Sequence, residues 1–208
     1  QTCALPICLF LLILTGVIYC QIYNHGPINA DDFYLTTNKN IEIGYTWPGF
    51  VEGIQSVMAG VWMPMTYAFV ALEAEFFGTD FGAYHLVAAF LHAVNAIILF
   101  LLLFRITKAF WKSAAVAILF AVHPLNVEPV AWLVGIRIIL CGFFSLLSLY
   151  FYALYAARHL SRYFILSLFT YSASLFAVPM YIPLPFLLLL LDFWPLKRFG
   201  SVNGNSSW

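Results

Sequence analysis

Apolar residues run along this chain in long unbroken stretches instead of alternating with polar ones. The longest cover residues 10–19, 86–104 and 143–157. About 20 apolar residues of helix cross the hydrocarbon core of a bilayer, so these stretches predict membrane spans. With their flanks they predict about six, at 3–23, 83–104, 113–124, 130–156, 163–178 and 180–194. The expected fold is an all-α, polytopic transmembrane helical bundle.

Two of these spans have unusual lengths. Residues 113–123 reach only about 16 Å at about 1.5 Å per residue, roughly half the hydrocarbon thickness, whereas the following helix, from 130, is long. The turn His123-Pro124-Leu125-Asn126-Val127-Glu128-Pro129 between them is therefore expected to dip below the membrane surface. Non-helical backbone at that depth is tolerated only where protein or a water-filled cavity surrounds it. Pro179, Pro183 and Pro185 predict a second broken region. Together they imply a concave polar site under one face of the membrane.

Residues 24–82 form a loop too long and too aromatic for a simple connector. Within it, 48–60 and 66–77 mix apolar and acidic residues. Each is expected to lie as an amphipathic helix in the interface plane, with Trp47, Trp62 and Tyr67 at headgroup level.

Composition supports the membrane reading. Of 208 residues 63% are hydrophobic and 9% charged, against about 25% charged in a soluble domain. Membrane lipid is thus an expected partner. Zero net charge gives no electrostatic footprint for nucleic acid. Cys3, Cys8, Cys20 and Cys141 fall inside apolar spans without metal-ligand spacing and read as small buried hydrophobes; no metal site is predicted. The chain begins at Gln1 without a methionine and ends at Trp208 without a terminating element. It reads as a single transmembrane domain, 1–208, from a longer protein, with the first span a retained anchor.

Charge orients the bundle. Arg105, Lys108, Lys112, Arg158, Arg162, Lys197 and Arg198 fall on one side, leaving only Lys39 and Arg137 of the nine basic residues elsewhere. Lys and Arg collect in cytoplasmic loops. Every acidic residue but Asp192 falls on the opposite side. Asp31, Asp32 and the long loop are therefore expected on the external, periplasmic or luminal face.

The adjacent carboxylates Asp31 and Asp32 repel each other. Either they cap and solvate the loop, or one takes a proton from an acceptor hydroxyl. His85 and His92 share a helical face, with Asn95 one turn on. His92 and Asn95 read as interhelical hydrogen-bonding residues, and His85 lies near enough to the outer end to reach a ligand. His123 and Glu128 flank the submerged turn, where an ionisable residue flags function; the alternative is that they bond to each other and to free backbone groups. Arg137 either pairs with Glu128 or an aspartate, or binds an anion such as phosphate. Lys39 reads as a solvated loop charge.

Several segments together resemble one family. His123-Pro124-Leu125-Asn126-Val127-Glu128-Pro129-Val130-Ala131-Trp132 is similar to the His-Pro-x-x-Val-Glu-x-Val-Ala-Trp signature of the transmembrane and tetratricopeptide-repeat O-mannosyltransferase-like proteins. Trp62-Met63-Pro64-Met65-Thr66 resembles that family's Trp-x-Pro-Leu-Thr. The stretch from Tyr84-His85-Leu86 to His92-Ala93-Val94-Asn95 resembles its His-Leu-x-Asn…His-x-x-Asn helix. Pro185 through Asp192-Phe193-Trp194-Pro195-Leu196 resembles its ending, and Asp31-Asp32-Phe33 its Asp-Asp-Phe/His after helix one.

The resemblance implies a GT-C-type membrane glycosyltransferase, which takes a sugar from a polyprenyl-phosphate donor and passes it to an acceptor on the outer or luminal face. In the eukaryotic members the sugar is mannose and the acceptor a protein Ser or Thr; a protein or glycan acceptor is the expectation here. Carried over, Asp31 or Asp32 activates the acceptor hydroxyl, and His85, His123, Glu128 and Arg137 line the donor pocket. The chain also departs from the pattern. Three positions charged in the family are Gly135, Ile136 and Ile138, and its Lys-Pro before the last helix is Val178-Pro179. These losses remove plausible phosphate ligands and favour an alternative: a catalytically degraded membrane scaffold of the same fold. A transporter is disfavoured, because the chain has no inverted repeat and no Gly-broken helix pair in matching halves.

Overall fold

The structure, a computed structural model, describes residues 4–28, 31–32, 46–58 and 60–193. The first apolar run forms α1 (Ala4–Tyr19), which tightens into a 3₁₀ turn over Cys20–Asn24. The longest helix, α4 (Phe81–Thr107), starts where the Asp80 side chain accepts a hydrogen bond from the Ala83 N–H at 3.3 Å. Its N-terminus is pressed against the 3₁₀ turn. A Cβ added at Gly82 would lie 2.5 Å from the Tyr23 carbonyl oxygen, so only glycine fits this approach. Along the rest of α4, buried Ala96 and Phe100 pack with Leu11 of α1 and with Ala114, Ala117 and Ala121 of α5 (Phe110–Val122). Such small residues let helix backbones approach closely.

After α5 the chain breaks at His123, makes a 3₁₀ turn over Pro124–Asn126 and enters the short α6 (Val127–Ala131). The two parts meet at a 50° bend, as the proline-bearing turn predicts. A second break lies where one continuous helix over 130–156 was expected. Trp132 is extended, Leu133–Gly135 form a 3₁₀ turn, and α7 (Ile136–Arg158) follows. The fold-back brings backbones close together: a Cβ at Gly135 would lie 2.3 Å from the Pro129 carbonyl oxygen, a space that only glycine fits. A continuous apolar run hides this fold-back.

Helix α8 (Ser161–Ala177) packs antiparallel along α7, joined by hydroxyl contacts between Ser148 and Ser167 at 3.1 Å. The three prolines do interrupt the chain, with a 3₁₀ turn over Pro179–Tyr181 before α9 (Leu184–Phe193). The Tyr152 hydroxyl holds α9 by donating to Asp192 at 2.6 Å.

Among the described residues the fold is all-α apart from a two-stranded hairpin, and its apolar helices are compatible with an integral membrane protein. By length and composition, Ala4–Asn24, Phe81–Thr107 and Leu133–Arg158 are each able to cross a bilayer, and the bent pair on either side of His123 makes a fourth if it counts as one span. Of the other expected spans, α8 has 17 residues and α9 has 10.

In the long loop, the expected helix over 48–60 stops early. Helix α2 (Trp47–Gln55) gives way to a hairpin in which β1 (Val57–Met58) pairs antiparallel with β2 (Val61–Trp62), turning at Gly60 with φ 78°. Helix α3 (Pro64–Phe77) matches its expectation closely. Tyr67 is buried, and its hydroxyl donates to the Gly49 carbonyl at 3.2 Å. Thr66 donates to the Ala177 carbonyl at 2.7 Å, so α3 is docked on the end of α8. Cys141 is buried as expected, but Cys8 is half-buried and Cys20 exposed. Cys3, Phe33, Lys39, Trp194 to Leu196, Lys197 and Arg198 lie outside the described residues.

Candidate functional site

The two breaks and the end of α1 converge at one end of the bundle. Tyr19, Ile22, Val70, Tyr84, Val130, Leu133, Val134 and Ile136 share one buried cluster there. On this apolar floor the two aspartates separate in environment. Asp32 is 1% exposed. Its Oδ2 accepts from the Ile28 N–H at 2.8 Å, and its Oδ1 from the Val134 N–H at 3.1 Å. The second bond spans 102 residues and ties the segment after α1 to the 3₁₀ turn before α7. It also satisfies an amide that the break leaves without a helical partner.

Asp31, next along the chain, is open to solvent, with a side chain 41% exposed. Its Oδ2 lies 3.4 Å from Nη2 of Arg137. The guanidinium also sits over the Trp132 ring, 5.8 Å from its centroid. The partner of Arg137 is thus an aspartate and not Glu128. Carboxylate, guanidinium and indole edge together give a proton acceptor beside a forked cation whose other N–H groups are able to bind an anion.

His85 lies just inside this surface. It is buried, neither ring nitrogen has a well-formed hydrogen bond, and the exposed His25 stands edge-on to it at 6.4 Å. Asp32 is within electrostatic reach of the same ring. His92 and Asn95 are packing residues, as expected: His92 Nε2 meets the Ala121 carbonyl at 3.2 Å, and the Asn95 amide donates to the Ile139 carbonyl at 3.0 Å.

His123 and Glu128 are not joined to this group by any hydrogen bond or ion pair among the described residues, nor to each other. The His123 Nδ1 accepts from the Leu125 N–H at 3.2 Å, and Glu128 is exposed. Asn126, not singled out from the sequence, stabilises the turn by donating to the Phe120 carbonyl at 2.7 Å. Pro124, which lacks an N–H, was the available signal that a carbonyl one turn back needed another donor.

Glu73 was also overlooked. It is buried on α3 with Oε1 lacking a hydrogen bond, and burial pushes its carboxyl up to about 8. The Tyr84 hydroxyl, which donates to the Gly78 carbonyl at 2.8 Å, lies within electrostatic reach of it. A signal existed here. Thr66, Val70, Glu73, Ala74 and Phe77 recur at helical spacing on one face, which places this acid among core residues.

No family model, curated protein or solved structure matches this chain. Its chemistry has to be argued from its own residues. No cluster of three or more His, Cys, Asp or Glu side chains able to hold a metal occurs among the described residues. The positions that depart from the resemblance have structural occupants. Gly135 has no room for a side chain, Ile136 is buried in the core, and the Val178 carbonyl accepts from the Cys141 thiol at 3.2 Å.

Proposed function

We propose that this chain is the membrane portion of a glycosyltransferase that moves a sugar from a polyprenyl-phosphate carrier to an acceptor hydroxyl on the non-cytoplasmic face. The observation that carries this reading is the meeting of Asp31 and Arg137, 106 residues apart in sequence, at 3.4 Å beside a buried cluster of membrane-type helices. Transfer needs a group to accept the acceptor's proton while its oxygen bonds to the sugar carbon. It also needs a cation to stabilise the phosphate as the bond from that carbon to the phosphate oxygen breaks. Asp31 supplies the first and Arg137 the second, with His85 behind them. Asp32, whose oxygens both hold backbone amides, is assigned to positioning, which narrows the base to Asp31.

The direct test is Asp31→Asn in membranes supplied with a polyprenyl-phosphate sugar. Loss of the general base lowers transfer by about 10²–10⁴-fold while the protein level holds. Unchanged transfer sinks the assignment.

A second reading is favoured by one observation. Ile136 occupies a position charged in the resembling family and is 3% exposed in the core, leaving Arg137 without that neighbouring charge. A scaffold of the same fold then shows neither transfer nor donor binding in the unaltered chain, and restoring the family's lysine at Val178 changes neither.

A further inference from the structure

At the far end of the bundle a different polar group is built. Helix α7 stops at Arg158 and α8 starts at Ser161, so only His159 and Leu160 connect them. The corner is fixed. His159 takes φ 54°, its N–H donates to the Tyr155 carbonyl at 2.8 Å, and the Tyr163 N–H donates to the Leu160 carbonyl at 3.0 Å. Into it project two guanidiniums that converge on one phenol. Arg158 Nη1 donates to the Tyr163 hydroxyl oxygen at 2.8 Å and Arg162 Nη2 to the same oxygen at 3.4 Å. Both also lie over the Tyr163 ring, at 5.7 and 5.0 Å from its centroid.

Neither arginine forms an ion pair with a carboxylate among the described residues. Two like charges gathered on a neutral oxygen repel each other, and an anion between them turns that repulsion into attraction. Helix α7 is the last part of a membrane-length apolar helix ending at Arg158, which puts both guanidiniums at headgroup depth. Along α8, Phe164, Ile165, Leu168 and Phe169 are exposed. An apolar row thus continues directly from the paired charges.

We propose that Arg158, Arg162 and Tyr163 bind the phosphate of an anionic phospholipid headgroup, whose acyl chains lie along the exposed face of α8. The two forks match the two non-bridging oxygens of a phosphodiester. The phenol holds the arginines together and keeps their donors turned to one point. The site lies at the opposite end of α7 from Arg137, about 30 Å away at about 1.5 Å per residue, and does not depend on the transferase reading.

The test is native mass spectrometry of the full chain released from detergent with phosphatidylglycerol or phosphatidylcholine. Wild type retains phosphatidylglycerol in preference to phosphatidylcholine, and R158Q/R162Q loses that preference by about fivefold for each arginine removed. K108Q/K112Q, at the neighbouring turn, controls for net charge and leaves the preference largely intact. Equal loss in both double variants overturns the site, because bulk charge then accounts for binding. So does an unchanged preference in R158Q/R162Q. Binding of inorganic phosphate without selective retention of the anionic lipid overturns the membrane source.

Discussion

The two ends of α7 carry arginines in opposite settings. Arg137, at the start, pairs with a carboxylate from a distant part of the chain and lies against an indole. The same end of the bundle holds the buried Asp32 and, within electrostatic reach of it, His85. Arg158, at the finish, meets another arginine across a phenol and is exposed. The first end is an interior polar site, where long-range contacts decide whether three chain segments stay together. The second is a local surface corner, complete within six residues. Loss of the amide-holding Asp32 at the first end therefore strongly affects folding, and polar substitutions at the second end mainly affect what the surface holds.

The largest expected effect separates the two neighbouring aspartates. Asp32→Ala removes two charge-assisted hydrogen bonds and leaves the Ile28 and Val134 amides without their acceptor. At about 1.5–3 kcal/mol for each such bond, the loss is about 3–6 kcal/mol. Asp31→Ala breaks a single 3.4 Å ion pair whose aspartate side is 41% exposed, worth about 1 kcal/mol. Thermal unfolding in detergent should show a large drop for the first and little for the second. Equal drops would erase the distinction between a carboxylate that holds two backbone amides and one that faces a guanidinium at the surface.

A smaller effect, readable by pH, tests the interior character of the same end. The Glu73 carboxyl titrates near 8 in the folded protein, against an ordinary value of 4.5. An acid whose folded pKa is raised binds its proton more tightly when folded. Its stabilising contribution is full below 4.5, falls as pH rises to about 8, and is then lost. Glu73→Gln removes that slope, and above pH 8 the variant is more stable than wild type by a few kcal/mol. Parallel stability curves for the two proteins across that window mean that Glu73 is solvated and α3 is not docked.

Continuous apolar runs made α4 and the main part of α7 legible, because about 20 such residues leave few alternatives to a buried or membrane helix. The bend at His123 was legible too, from Pro124 and from a span too short to cross. The break at Trp132 was not. Leu133, Val134, Gly135 and Ile136 continue the apolar run, and the features that accompany the break, the approach of Gly135 to the Pro129 carbonyl and the bond from the Val134 amide to Asp32, are both tertiary. Among the candidate residues, local spacing explained His92 and Asn95. It left the partner of Arg137 open between Glu128 and an aspartate, since a contact across 106 residues depends on how three segments pack. Asp31 and Asp32 looked equivalent for the same reason: the amide that distinguishes them belongs to Val134.

The two turns that flank α7 sharpen the comparison at the level of single backbone positions. Gly135 has an ordinary φ of −60°, so its glycine is demanded by space: Gly135→Ala drives a methyl into the Pro129 carbonyl and destabilises by about 1–3 kcal/mol. His159 has φ 54° with open surroundings, so there the demand is conformational. His159→Gly relieves a left-handed strain of about 1–2 kcal/mol, but glycine also loosens the unfolded chain by about 0.4–1 kcal/mol. The net gain lies between about 0 and about 1.6 kcal/mol. A melting temperature that falls in Gly135→Ala and holds or rises slightly in His159→Gly fits an outer turn limited by packing and a corner limited only by its own backbone. A large loss in His159→Gly would mean that the imidazole itself holds the corner, and the two ends would then differ less than their geometry implies.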